Sequence, residues 1–350
     1  MLHTNQANLA GFTLKASIGA LLLTASQLLF ADLAYITNYI SNTVSVIDTT
    51  SNNLIMPAIN INSSPWGVAV NTVLNRVYIT HSMIPGSVTV LDTDTQAILT
   101  SIRVGNTPYG IAVNSAGTLA YVANLNSNSV SVIDTTTNSV IGAPIPVGTQ
   151  PAGVVVHPDG TRAYVTNQQS NDVSVINTAS NSELLRINVQ ANPEGIAIHP
   201  DGTRLYVANA VGNSVSVINT MTNSVTNLPN FSRPSGIAIN PAGTLAYVTN
   251  SGNGKVQVID TASNAFGALI SVGGNPVGIS FNSAGTRAYV VNSSSHTVSV
   301  IDTATATVIP PPINTGLWPI ALGQFIKATP APINGSINLG HTSKAELVRH

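Results

Sequence analysis

Residues 163–178 read AYVTNQQSNDVSVINT, and both halves of this stretch recur along the chain. The first half returns as LAYITN (33–38), LAYVAN (119–124), RLYVAN (204–209), LAYVTN (245–250) and RAYVVN (287–292). The second returns as V-S-V-I-D-T or a close variant at 44–49, 88–93, 130–135, 215–220, 256–261 and 298–303. The tyrosines stand at 35, 78, 121, 164, 206, 247 and 289, a period of 41 to 43 residues, which is the period of a propeller blade.

Each unit continues through a looser apolar segment, then Pro-x-Gly, an apolar run such as IAV or VVV, and a turn such as HPDGT or NSAGT. Four short segments rich in Val, Ile, Tyr and Thr, separated by Gly, Asn, Asp and Pro, predict four antiparallel strands. The proline of Pro-x-Gly (65, 108, 151, 193, 234, 276, with Pro319 as the last copy) has no N–H to give a ladder, which suits a loop entering a strand. Four strands repeated seven times predict an all-β, seven-bladed β-propeller. The first unit lacks an inner strand, and WPIALGQFI at 318–326 is an inner strand with no partner after it. Joining the two completes one blade from both ends of the chain and removes an open sheet edge.

On these repeats the chain resembles the YVTN-repeat family over residues 33–326. The resemblance implies an exported propeller. It does not choose among activities, because that family includes surface-layer proteins and a DNA-binding propeller, and related propellers include lactonases and a lyase.

Lys15 followed by the apolar run 16–31 reads as a secretory signal, too short to span a bilayer comfortably. The expected organisation is a signal peptide at 1–31, the propeller at 32–326 and a flexible tail at 327–350. The protein is expected to be exported, to periplasm, cell surface or medium, with no membrane span after the signal and as a monomer. Only 7% of residues are charged and the net charge is -1, so no basic stripe is available to neutralise phosphates and nucleic acid is a disfavoured partner. The absence of cysteine rules out disulfides, thiolate metal sites and Cys nucleophiles. No metal and no cofactor are expected.

A residue present in most blades serves the fold. Asp48, Asp92, Asp134, Asp260 and Asp302 alternate with Asn177 and Asn219 at one repeat position, as expected of groups that accept backbone N–H bonds in a turn. His157 and His199 share their position with Asn71, Asn114, Asn240 and Asn282, which favours a strand-end contact over a metal pair. Departures from the repeat gather on the face formed by the B-to-C and D-to-A loops. Tyr39, Tyr109, Trp66 and Trp318 fall there in three neighbouring blades, together with His81, which replaces the Asn of YVTN. They are the expected ligand-binding residues, since aromatic rings give rigid contact area with a polar handle. Glu194, Arg233, His81 and His296 are the candidate catalytic groups.

The reading this favours is a non-enzymatic exported scaffold that binds an envelope protein, a glycan or another ligand through the aromatic face. The alternatives are a lyase- or lactonase-like enzyme with polar groups at the channel mouth, and a surface-layer module or single-stranded DNA binder.

Overall fold

The interior residues of Arg162–Asn167 and Asp172–Asn177 are apolar with few exceptions, and all of them are buried. A strand buried on both faces must lie between two layers, and here the layers are neighbouring blades. The computed structural model describes residues 32–61 and 63–327. It shows seven antiparallel sheets, one per blade, each ordered A-B-C-D from the inner strand outward. Blade 2 is typical, with Pro65–Asn71, Arg76–His81, Ser87–Asp92 and Ile98–Arg103 as its four strands. Blade 3 departs slightly, because its outer strand is broken into Ser139–Val140 and Ile145–Pro146.

The core lies between blades. Tyr78, Val88 and Val90 of blade 2 pack with Ile111, Val122 and Ile133 of blade 3 in one apolar cluster. The repeated tyrosine is buried, and at Tyr78, Tyr206 and Tyr289 its hydroxyl bonds across the seam, whereas the hydroxyls of Tyr121 and Tyr164 have no hydrogen-bond partner among the described residues. Tyr78 donates to Asn138 Oδ1 (3.0 Å) and Tyr289 to Asn52 Oδ1 (2.7 Å), each in the next blade. A Phe at Tyr78 or Tyr289 would fill the space and leave that turn without this bond. The repeated Asp or Asn caps the C-to-D turn as expected: Asp134 Oδ1 and Asn177 Oδ1 each accept two backbone N–H bonds. His157 Nε2 meets Gly202 O at 3.0 Å and His199 Nε2 meets Gly243 O at 2.7 Å. Asn71 Nδ2 makes the same contact to Gly117 O at 2.7 Å. The two histidines therefore join blades rather than forming a metal pair.

Blade 1 is closed by both ends of the described chain. Ile326–Lys327 pairs with Leu33 and Ala34, Tyr35 N donates to Phe325 O (2.9 Å) and Ile320 N to Thr37 O (2.9 Å). The inner strand is less regular than expected over 318–326, and its ladder reaches Lys327, one residue into the expected tail. Between these contacts the segment swings to blade 2, where Val68 N and Val70 N donate to Leu322 O and Gln324 O. Gly323 has φ +117, and a Cβ there would stand 2.5 Å from Val68 O. Two side chains fasten the closure: Asp32 Oδ2 accepts from Ser283 N and Oγ, and Lys327 Nζ bonds Thr93 Oγ1 and Asp94 Oδ1. The expected signal at 1–31 and the tail from 328 onward lie outside the described residues. No helix among the described residues is long and apolar enough to cross a membrane.

Candidate active site at the Pro-x-Gly ring

Six inner strands begin with Pro-x-Gly and blade 1 has Pro319-Ile320-Ala321 in its place, and the middle residues stand at equivalent places around the central channel. From blade 1 to blade 7 these residues are Ile320, Trp66, Tyr109, Ala152, Glu194, Ser235 and Val277. The glycine is required by close approach: a Cβ at Gly153 would stand 2.4 Å from Glu194 O, and one at Gly195 would stand 2.1 Å from Ser235 O. The threonine of YVTN locks the ring. Thr166 Oγ1 accepts from Gly153 N and donates to Glu194 O, both at 2.8 Å. Thr80 Oγ1 bridges Gly67 N (2.8 Å) and Tyr109 O (2.7 Å) in the same way. The backbone of the ring is thus nearly uniform, and chemistry is set by the side chain at one position.

One arc of the ring is aromatic. The rings of Trp66 and Tyr109 lie 4.6 Å apart at 37°, and Tyr39 meets Trp66 edge-on at 5.4 Å. The opposite arc is polar. Ser235 Oγ donates to Glu194 Oε2 at 2.8 Å. Desolvation raises the Glu194 pKa above the ordinary glutamate value of 4.5, while Ser235 and the Arg233 charge pull it back. Burial pushes the Tyr109 hydroxyl up strongly, and the Glu194 charge adds to the effect. At neutral pH the Tyr109 proton is therefore retained, and Glu194 keeps its own proton to higher pH than an exposed carboxyl would. Arg233 is exposed beside this pair, at the residue before Pro234, with φ +45.

The sequence candidates do not all meet here. His81 is fully buried, with Nε2 at 2.7 Å from Thr89 Oγ1 and Nδ1 at 3.0 Å from Ser63 O. Asn38, Asn124 and Asn167 make the matching bond to Ser45, Ser131 and Ser174, so His81 stands in for a structural amide. His296 does likewise: its Nδ1 accepts from Trp318 N at 3.0 Å, as Asn128 and Asn213 accept from Gln150 N and Arg233 N. Both are corrected from catalytic candidates to parts of the frame, because both ring nitrogens of His81 and Nδ1 of His296 make contacts within the frame. Trp318 lies on the same face, but its ring makes no aromatic pair among the described residues, unlike Tyr39, Trp66 and Tyr109. Ser235 was missed, although its place in the Pro-x-Gly slot beside Glu194 was visible in the repeat.

Below the ring lies a channel cavity of about 490 Å³. It runs from Gly110, Gly153 and Gly195 to Pro200, Pro241 and Asn282, and no charged side chain lines it. Trp66, Tyr109 and Glu194 are not among its walls, although Gly110 and Gly195, which follow Tyr109 and Glu194, are. Among the described residues no group of three His, Asp or Glu side chains is placed to hold a metal ion.

With this geometry in hand, a family model described as "Lactonase, 7-bladed beta-propeller" matches residues 145–308, less than half of the chain. The match includes Glu194, Arg233 and Ser235. A search of curated proteins found no match. Among solved structures the chain is similar to the hydrazine synthase of Kuenenia stuttgartiensis, with 23% identity, TM-score 0.71, and coverage of 77% of this chain and 92% of that one. It is similar to the periplasmic gluconolactonase of Pseudomonas aeruginosa, with 16% identity, TM-score 0.71, and coverage of 86% and 99%. A protein from Lactobacillus plantarum gives 18% identity, TM-score 0.72, and coverage of 84% and 98%. At these identities the structures establish the fold alone. The lactonase match runs against the non-enzymatic scaffold expected from the sequence and supports the enzymatic alternative in its place.

Proposed function

We propose that the protein is a lactone-opening hydrolase whose active site is the Pro-x-Gly ring. The observation that carries this reading is the buried Glu194–Ser235 pair within the segment that matches the lactonase model, a carboxyl of raised pKa whose charge acts on the Tyr109 hydroxyl. Ionised Glu194 takes a proton from water, and the resulting hydroxide attacks the lactone carbonyl carbon. Tyr109 donates a hydrogen bond to the carbonyl oxygen as negative charge develops there. The ring C–O bond then breaks, and Glu194 returns its proton to the leaving alkoxide. Water is consumed and a hydroxy acid is formed; its carboxyl group loses its proton to solvent, and the carboxylate is attracted by Arg233.

On this reading the YVTN-type repeat supplies the frame. Export is part of the proposal, supported by the run 16–31 and by the periplasmic source of one structural neighbour.

The test is base uptake at constant pH by the purified protein on five- and six-membered lactones. Glu194→Gln keeps an acceptor for Ser235 Oγ but cannot take a proton, and a loss of about 10²–10⁴-fold in kcat/KM is expected. The wild-type rate should rise with pH to a midpoint above 4.5, because only the ionised carboxyl is a base and its pKa is raised. Wild-type protein that opens no lactone faster than buffer, or a Gln variant of full activity, would sink the proposal.

A further inference from the structure

The rim around the aromatic arc gathers most of the exposed large apolar side chains of this face; among the described residues the rest of the rim carries Val211 alone, in blade 5. Ile40, Met83, Ile84, Leu317 and Trp318 are all exposed, Ile84 to 68% and Ile40 to 53%. Other blades carry Gln169 and Ser294 at the place of Ile40, Thr149 and Gly274 at that of Leu317, and Gln150 and Asn275 at that of Trp318. The residues are brought together by backbone bonds. Ile40 N donates to Leu317 O, and Tyr39 N to Trp318 O. Met83 Sδ lies 3.1 Å from Ser63 Oγ, and Met83 O accepts from Thr107 N. The two apolar groups therefore flank the loop that leads into Trp66. The loops 38–42, 63–66, 82–87 and 315–319 contain no charged residue.

The described ends of the chain lie away from this crescent. Asp32 is tied to Ser283 in an A-to-B turn and Lys327 to Asp94 in a C-to-D turn, and both turns lie on the opposite face. Contiguous exposed apolar surface of this kind marks an interaction site. Here it is continuous with the Tyr39–Trp66–Tyr109 stack, which leads to Glu194.

We infer that the substrate is an amphiphile, a lactone bearing a long unbranched alkyl or acyl chain. The lactone ring lies between Tyr109 and Glu194, and the chain passes over Trp66 onto the crescent. This rests on the hydrolytic reading and adds the substrate class. Each methylene laid on the crescent should tighten binding by up to about fourfold.

The only two tryptophans of the chain, Trp66 and Trp318, both stand at this face, so intrinsic fluorescence reports occupancy without any turnover. Titration with lactones carrying ethyl to decyl chains, and with the matching non-hydrolysed lactams, should give affinities that climb with chain length. In the double variant Ile40→Ser, Ile84→Ser, both exposed positions whose loss leaves the core intact, the decyl-to-ethyl affinity ratio should fall at least tenfold. Opening of short lactones with no dependence on chain length overturns this inference and leaves the hydrolase standing. Chain-length-dependent binding of lactone and lactam without opening supports the amphiphile site and removes the hydrolase. Binding to phosphatidylcholine vesicles as tight as to the decyl lactam, lost in the same variant, assigns the crescent to a lipid surface and overturns the small-ligand reading.

Discussion

Blades 2 and 5 place the same backbone at the channel mouth and fill it with opposite chemistry. In both, a proline starts the inner strand and a glycine follows the variable residue. Blade 2 presents Trp66, stacked on Tyr109; blade 5 presents Glu194, bonded to Ser235. The frame is thus held independently of the group it carries, and one slot per blade sets the local function. Desolvation by the shared frame affects the two arcs differently. It favours an aromatic ring and opposes a carboxylate charge, which is why the Glu194 pKa rises.

The contrast breaks most sharply at Trp66. Trp66→Ala removes both aromatic contacts of the stack and should cost roughly 3 kcal/mol, at the low end for a buried aromatic because the ring is partly exposed. Urea unfolding followed by circular dichroism would measure it. A cost below about 1 kcal/mol, the scale of an ordinary exposed position, would mean that the stack only rests on the ring.

Thr166→Val probes the polar arc from behind. It leaves Gly153 N without its acceptor and frees Glu194 O, for an expected loss of about 1–3 kcal/mol, together with a lowered kcat as Glu194 loses its support. Thr80→Val, beneath Tyr109, should cost similar stability and have less effect on the rate. Equal rate losses in both variants would erase the functional difference between the arcs.

Stability against pH separates the arcs further. The folded state holds the Glu194 proton more tightly than the unfolded chain, so this contribution is present below 4.5 and is lost as pH rises through the raised folded value. Glu194→Gln should flatten the melting-temperature profile over that range, and an unaltered profile would show that burial does not control the group. The smallest effect is expected at the closure, remote from both arcs. Asp94 is largely exposed, so Lys327→Ala should lower stability by about 1 kcal/mol or less. A loss of several kcal/mol would show that the blade 1 seam is weaker than its backbone bonds imply.

Much of this site was legible in the sequence, because the repeat defines what each blade must contain and exposes Trp66, Tyr109 and Glu194 as departures. His81 and His296 show where such reasoning stops. Both are unusual at their positions, yet each ring nitrogen can serve where an Asn amide serves elsewhere, so an uncommon residue carries an ordinary contact. Ser235 shows the converse. It looks unremarkable in a chain rich in serine, and its partnership with Glu194 depends on two blades meeting 41 residues apart.

The sequence by itself determined the blade count, the strand order within a blade and the closure from both ends, because these follow from local periodicity and from the cost of an unpaired edge. The tertiary structure decided which departures share a space. Residues at one repeat position in different blades come together only when the ring closes, and desolvation, stacking and charge act across that gap rather than along the chain.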